Sequence, residues 1–379
     1  MKAFICGFLN FPRGGAASNY VLYFSKVLQN IGYEVIVVTN KNHEYNSNTF
    51  EKIHIEEICI PNNKIQRFCT YNLYAKELFI RQIEKYTLTK TDIIISYSRD
   101  DKLIKGLLNC AKKNNCKMAA IVVEHFAKED YKYGAFDFNF WKEEKSLNYV
   151  IPKVDYVFSI STEIEKYLVK KKAHCMTIPV MIDASQSRFV EKTKQKKRKF
   201  IYTGNGKMKD CIESAILAWK KLTREEISQM EFHIRGVNEQ FVTKLLGDRS
   251  ENYNIIIHDW MKYEELQELY TAMDFIMIPR QKSQMTMSNF PSKVPEALSY
   301  GIVPVVSDVG DYTKYYLQDG VNSIIFEGCE VQQCLRAIRK CLALDEATIR
   351  QMKKKARECA VKKFDYRNWE EPIKQFLEN

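Results

Sequence analysis

The sequence predicts an α/β protein built from two doubly wound, Rossmann-like domains, and three observations carry that expectation. A strand–loop–helix–strand pattern opens the chain over 2–39. The pattern restarts at 200–222, after a polar, basic and aperiodic stretch at Ala184–Lys199 that reads as a linker. The 379 residues are also too many for one ordinary core and suit two domains of somewhat under about 200 each. The domains are expected at 1–182, with the closing helix 362–379 returning to the first, and at 183–361.

Composition narrows the function. With 45% hydrophobic and 28% charged residues, and no run of about 18 uncharged apolar residues, no membrane span is expected. Met1–Gly7 enters a strand directly and lacks a signal-peptide cleavage region. The eleven cysteines show neither C-x-x-C nor metal spacing, so reduced thiols in a cytoplasm are expected. The net charge of +11 fits a phosphorylated substrate or an anionic membrane surface, or simply a lysine-rich exterior. Nucleic acid is disfavoured, because no RNA-binding aromatic signature, zinc-finger spacing or helix-turn-helix pattern accompanies the basic runs.

In chain order, Lys2–Phe8 reads as a strand and the loop after it carries Gly14 and Gly15. Asn19–Gly32 is a helix with apolar residues at helical spacing, and Tyr33–Thr39 a buried strand. The loop lacks G-x-G-x-x-G and the acidic residue about 20 positions on, which disfavours a dehydrogenase. Over 62–90, basic and aromatic residues interleave at helical spacing, as on a helix at a membrane surface or one with a core face. Strands at Asp92–Tyr97 and Lys117–Val123 follow, the second ending in Glu124 and His125. That pair is placed to act over the end of a sheet, or merely to cap the next loop. Further strands are expected at Asp155–Ile160 and Thr177–Ile182.

The second half repeats the scheme: strand Phe200–Thr203, the loop Gly204–Asp210 with Lys207 and Lys209, helix Cys211–Leu222. Strands at Glu231–Gly236, Asn254–His258 and Asp274–Pro279 come next, with Trp260 in a turn and Arg280 at a strand end. The most informative stretch is Asn289–Gly310: a loop, a short helix that Ser292 can cap, a left-handed stop at Gly301, and a β-rich run to Ser307. Its helix N-terminus, with Lys293 and Val294, suits a phosphate, and Glu296 one turn in can accept from a pair of vicinal hydroxyls. An ordinary crossover has the same local pattern.

The residues P-S-K-x-x-E-A-L-x-x-G-x-x-P-V-x-S at 291–307, then Gly310 and Gly320-Val321-Asn322, resemble the signature of retaining GT-B glycosyltransferases, specifically glycosyltransferase family 4. The likeness is strongest over 198–326. It implies two Rossmann-like domains facing across a cleft and transfer of a sugar from a nucleoside diphosphate sugar to a glycan or lipid-linked acceptor. It implies phosphate contacts from Gly204, Lys207, Lys209, Arg280, Ser292, Lys293 and Val294, and a ribose contact from Glu296. Trp260 would lie near the base, and the backbone at Gly14 and Gly15 would approach the donor's phosphates or sugar; Gly14, Gly15 and His125 would lie nearest the chemistry, and His125, Lys209 and Glu296 are the expected catalytic groups. Without an Asp-x-Asp motif, no metal or other cofactor is expected, since cations already match the leaving charge. Two departures stand out: Asn205 replaces the family's arginine, and Ser288 replaces the first glutamate of E-x7-E. A non-catalytic nucleotide-sugar-binding protein is the alternative they suggest.

Overall fold

The computed structural model describes residues 1–13, 15–41, 45, 47–189, 197–206, 209–259 and 261–379. They form two compact units, Met1–Ile182 with Tyr366–Asn379, and Asp183–Asp365.

The first unit holds β1 (Lys2–Cys6), β2 (Glu34–Asn40), β3 (Thr49–Phe50), β4 (Ile53–Ile58), β5 (Ile93–Ser96), β6 (Lys117–Val122), β7 (Tyr156–Ser159) and β8 (Cys175–Thr177). Their order is β3-β4-β2-β1-β5-β6-β7-β8, parallel except for the β3–β4 pair. The central strands Ala3–Cys6, Val35–Val38 and Ile93–Ile95 are unbroken apolar runs because helices cover both faces. β8 ends at Thr177, earlier than the strand expected at 177–182. Pro179 lacks the N–H that a continued ladder would need.

The second unit holds β9 (Arg198–Thr203), β10 (Met230–Arg235), β11 (Ile255–His258), β12 (Phe275–Ile278), β13 (Val303–Ser307) and β14 (Ile324–Phe326). All are parallel, in the order β11-β10-β9-β12-β13-β14, so the winding reverses between β9 and β12. Such a switch point is where open α/β sheets receive ligands. One face packs Phe200, Trp219, Phe232 and Phe275 into a single core. Trp219 is fully buried, and its indole N–H donates to the Tyr253 carbonyl at 2.8 Å. Residues 198 and 199, assigned to the linker from sequence, already belong to β9, where Arg198 donates to the Leu344 carbonyl at 2.9 Å.

Candidate functional site

Two chain segments leave the second sheet beside its switch point: the one that begins at Gly204 after β9, and the one that begins near Arg280 after β12. Gly204 is required by crowding, since a Cβ there would lie 2.7 Å from the Tyr202 hydroxyl and 2.8 Å from Lys293 Nζ. Gly236, at φ +86°, would bring a Cβ within 2.8 Å of the Gly204 carbonyl. The ends of β9 and β10 therefore meet backbone to backbone, and the space above β9 is left to the Lys293 ammonium.

That ammonium and Arg280 converge on one carboxylate. Lys293 Nζ lies 2.5 Å from Asp210 Oδ2, Arg280 Nε lies 2.8 Å from Asp210 Oδ1, and the Tyr202 hydroxyl donates to Oδ2 at 3.0 Å. Tyr202 accepts in turn from the Gly206 N–H, and the Lys293 ammonium sits 4.5 Å from its ring centre. Arg280 is 4% exposed, with its backbone N–H donating to Ser307 Oγ and Nη1 to Asn289 Oδ1. Burial pushes the Asp210 carboxyl up, but Lys293 and then Arg280 outweigh it and hold it at about 2. Burial lowers the Lys293 pKa, opposed chiefly by Asp210. Behind this cage, burial raises Glu296 to about 7 against the pull of Arg235 and Lys293 and a hydrogen bond from Tyr270. Tyr270 also meets Thr203 Oγ1 at 3.0 Å. A buried Arg280 and a half-buried Lys293 at a switch point, beside a half-buried carboxyl, suit an oxyanion joined to a hydroxylated group.

The family model of glycosyl transferases group 1 matches residues 183–359, the unit that carries this cage. The second unit carries that family's domain. The chain is a glycosyltransferase.

No curated protein matches its sequence. Solved structures do match its fold. A sucrose-phosphate synthase from Thermosynechococcus elongatus is 16% identical with a TM-score of 0.75, covering 100% of this chain and 98% of its own. HepE of Anabaena, solved in complex with UDP, is 14% identical with a TM-score of 0.73 and 100% of both chains covered. WaaG, a glycosyltransferase of lipopolysaccharide biosynthesis, is 13% identical with a TM-score of 0.71 and 100% of both chains covered. The GT-B fold expected from sequence is thus the fold of this glycosyltransferase.

Of the residues singled out in the sequence, the second unit brings Gly204, Arg280, Lys293 and Glu296 together. Lys209 is half-buried beside Asp210 in the loop after β9. Ser292 does not cap the helix Lys293–Ser299: its own backbone is already helical, and its side chain makes no cap bond. The Val294 N–H is spent on the Pro291 carbonyl at 3.0 Å, so that donor is directed into the turn. Ser288 is buried and its hydroxyl donates to the Met285 carbonyl, while Asn205 is exposed. Gly14, Lys207 and Trp260 lie outside the described residues.

Gly15 and His125 belong to the first unit. Gly15, at φ +88°, precedes the helix Ala16–Asn30 and could carry a Cβ without meeting any atom within 4 Å. His125 is buried, its ring 4.6 Å from that of Tyr167 and Nε2 3.6 Å from Glu144 Oε1. Next to it, Arg99 pairs with Glu143 at 3.0 Å and Glu124 at 3.7 Å, and Tyr131 donates to Glu143 at 2.6 Å.

Asp210, Arg235, Tyr202 and Tyr270 also belong to the site, beyond the residues singled out in the sequence. Arg235 had the same signal as Arg280, a cation at the carboxyl end of a parallel strand. Asp210 had none, because a carboxylate is not a group that a phosphate site calls for.

Proposed function

We propose that this glycosyltransferase takes its sugar from a nucleoside diphosphate donor and transfers it with retention of configuration, without a metal, to a glycan or lipid-linked acceptor in cell-surface polysaccharide assembly. The observation that carries the reading is the convergence of buried Arg280 and half-buried Lys293 at the switch point of the second sheet. As the bond from the anomeric carbon to the diphosphate breaks, charge develops on the leaving oxygen, where fixed cations in a dry site stabilise it most. The acceptor oxygen bonds to the same carbon, and its proton passes to the departing diphosphate. Arg280 and Lys293 do the work a divalent ion would otherwise do, and the Glu296 carboxylate accepts from the ribose hydroxyls. HepE structures hold UDP and UDP-glucose, which supports a uridine donor of this kind.

An anionic membrane surface suits the acceptor side. The helix Lys64–Cys69, capped by the Asn63 side chain, buries no residue, and Ile65 and Phe68 are 75% and 66% exposed, each next to an exposed cation, Lys64 or Arg67. Its continuation Ala75–Ile83 instead turns Ala75, Phe79 and Ile83 into the core. Bulky apolar side chains flanked by cations are what an anionic lipid surface holds. No helix among the described residues is long and apolar enough to cross a membrane.

The test is a transfer assay with a panel of nucleoside diphosphate sugars, with and without chelator, reading the anomeric configuration of the product. Retained configuration and chelator-insensitive transfer are expected. An inverted product, or activity lost to chelator and restored by magnesium or manganese, contradicts the reading.

A further inference from the structure

We propose that Asp210 is a built-in counter-anion of the phosphate subsite: it opposes the donor's diphosphate for Arg280 and Lys293, and so limits how tightly the nucleoside diphosphate product is held. The inference rests on the nucleotide reading of the cage for its biological meaning, but its physical core is the cage alone.

The Asp210 side chain is 8% exposed, Arg280 4% and Lys293 14%. Each of its oxygens takes one cation, and the Tyr202 hydroxyl completes the set. The carboxylate therefore occupies the donor positions that a phosphate oxygen needs, and it brings the local charge of the pair of cations from +2 to +1. An incoming diphosphate has two routes. It can displace the carboxylate, giving up two charge-assisted hydrogen bonds, or it can bind beside it and meet a like charge at short range. Either route weakens binding. The loop is anchored beside Arg280, since the Cys211 N–H donates to the Pro279 carbonyl at 2.7 Å, so Asp210 stays near the pair it neutralises.

The cost falls on substrate and product alike, yet the consequences differ. The donor has a sugar and its contacts to offset the opposition. The product diphosphate carries more charge and has lost the sugar, so it meets the stronger repulsion. A residue that weakens product binding speeds turnover wherever release limits it. Asp210 also removes the repulsion between Arg280 and Lys293, which keeps two cations tolerable at so little exposure before a donor arrives.

The test compares the full-length wild type with Asp210→Asn, Asp210→Glu and Tyr202→Phe, titrating each with inorganic pyrophosphate and with the nucleoside diphosphates by calorimetry. Asp210→Asn should bind pyrophosphate at least about tenfold more tightly, about 1.4 kcal/mol. It should also melt at a lower temperature when free and recover with saturating pyrophosphate. Asp210→Glu, which keeps the charge, should stay near wild type. Tyr202→Phe, which loosens the carboxylate without changing the charge, should tighten pyrophosphate binding by a smaller factor, and it decides the matter if Asp210→Asn does not fold. Binding that is unchanged or weaker in Asp210→Asn, or in Tyr202→Phe should that variant fail to fold, overturns the proposal, as does a lack of pyrophosphate binding by every protein. If pyrophosphate follows the expected order but no nucleoside diphosphate binds any variant, the counter-anion stands and the nucleotide reading falls.

Discussion

The cation cage of the second unit and the polar cluster of the first are built from the same materials, yet they are held in different ways. In the cage, two cations come from separate places along the chain, Arg280 at a strand end and Lys293 on a short helix, and meet one carboxylate from a loop. In the first unit, Arg99 faces Glu124 and Glu143, and burial raises the Glu143 pKa while Arg99 opposes it. Cations outnumber carboxylates in the first case and carboxylates outnumber cations in the second. An excess of buried positive charge calls for an anionic ligand, whereas an excess of carboxylate suits hydroxyl groups that donate. On this contrast we propose that phosphate goes to the second unit and an acceptor's hydroxyls to the first.

The largest effect is expected from Arg280→Met. The substitution leaves Asp210 with one cation in a buried site, a loss of about 3 kcal/mol, at the low end for a broken buried pair because Lys293 remains. Nucleoside diphosphate binding should be lost with it. Urea melting and calorimetry on the full chain read both effects, and a variant that keeps wild-type affinity would break the assignment of phosphate to this unit.

Glu296 sharpens the comparison through pH. Its folded pKa of about 7 lies above the ordinary value of 4.5, so between those limits the folded protein binds the extra proton. Stability from this group therefore falls as pH rises from about 4.5 to 7, by up to about 3 kcal/mol. Glu296→Gln should be more stable than wild type at pH 8, with the difference shrinking to nothing near pH 4.5. His233 slopes the other way. Burial, with His258 and Lys199, holds it at about 4, so its contribution is lost as pH falls from about 6.5 toward 4. The two slopes oppose each other in the wild type, so the difference between variant and wild type is the quantity to measure. The same Glu296→Gln variant should bind the nucleotide about tenfold to a hundredfold more weakly if the carboxylate meets the ribose. A gain in stability with no loss of affinity would make Glu296 a packing residue.

How far these sites were legible in the sequence follows from how each is built. The stretch to Ser307 could be read because each step has a local cause: Gly301 adopts φ +67° as the helix stop, and Val303–Ser307 follow as a buried strand. Arg280 and Lys293 were visible as cations at recognisable positions. Asp210 was hidden because its partners lie 70 and 83 residues away and only the fold unites them. The region 124–150 was opaque for another reason. It is a succession of short helical turns, with a π-turn at Ser146–Val150, and it exposes Phe136 and Trp141 where periodicity would bury them. No repeat of 2 or 3.6 survives such irregularity.

A smaller effect is expected at the first unit's exposed helix. Phe68→Ser should reduce binding to anionic vesicles several-fold at low salt and leave stability near wild type, because the side chain is 66% exposed. Raising salt from about 0.1 M to 1 M shortens the screening length from about 10 Å to 3 Å and should weaken the wild type as well. Sedimentation with anionic and neutral vesicles reads this, and equal binding to both would remove the membrane from the acceptor side.

The central claim is that the second unit holds the nucleotide and the first unit does not. Calorimetric titration of full-length Lys293→Met and His125→Ala with the nucleoside diphosphate that binds the wild type tests it most directly. The account predicts that Lys293→Met loses affinity by about a hundredfold, a loss of about 3 kcal/mol for a buried charge-assisted contact, while His125→Ala binds as the wild type does and loses only transfer. Wild-type affinity in Lys293→Met, or lost affinity in His125→Ala, would contradict it.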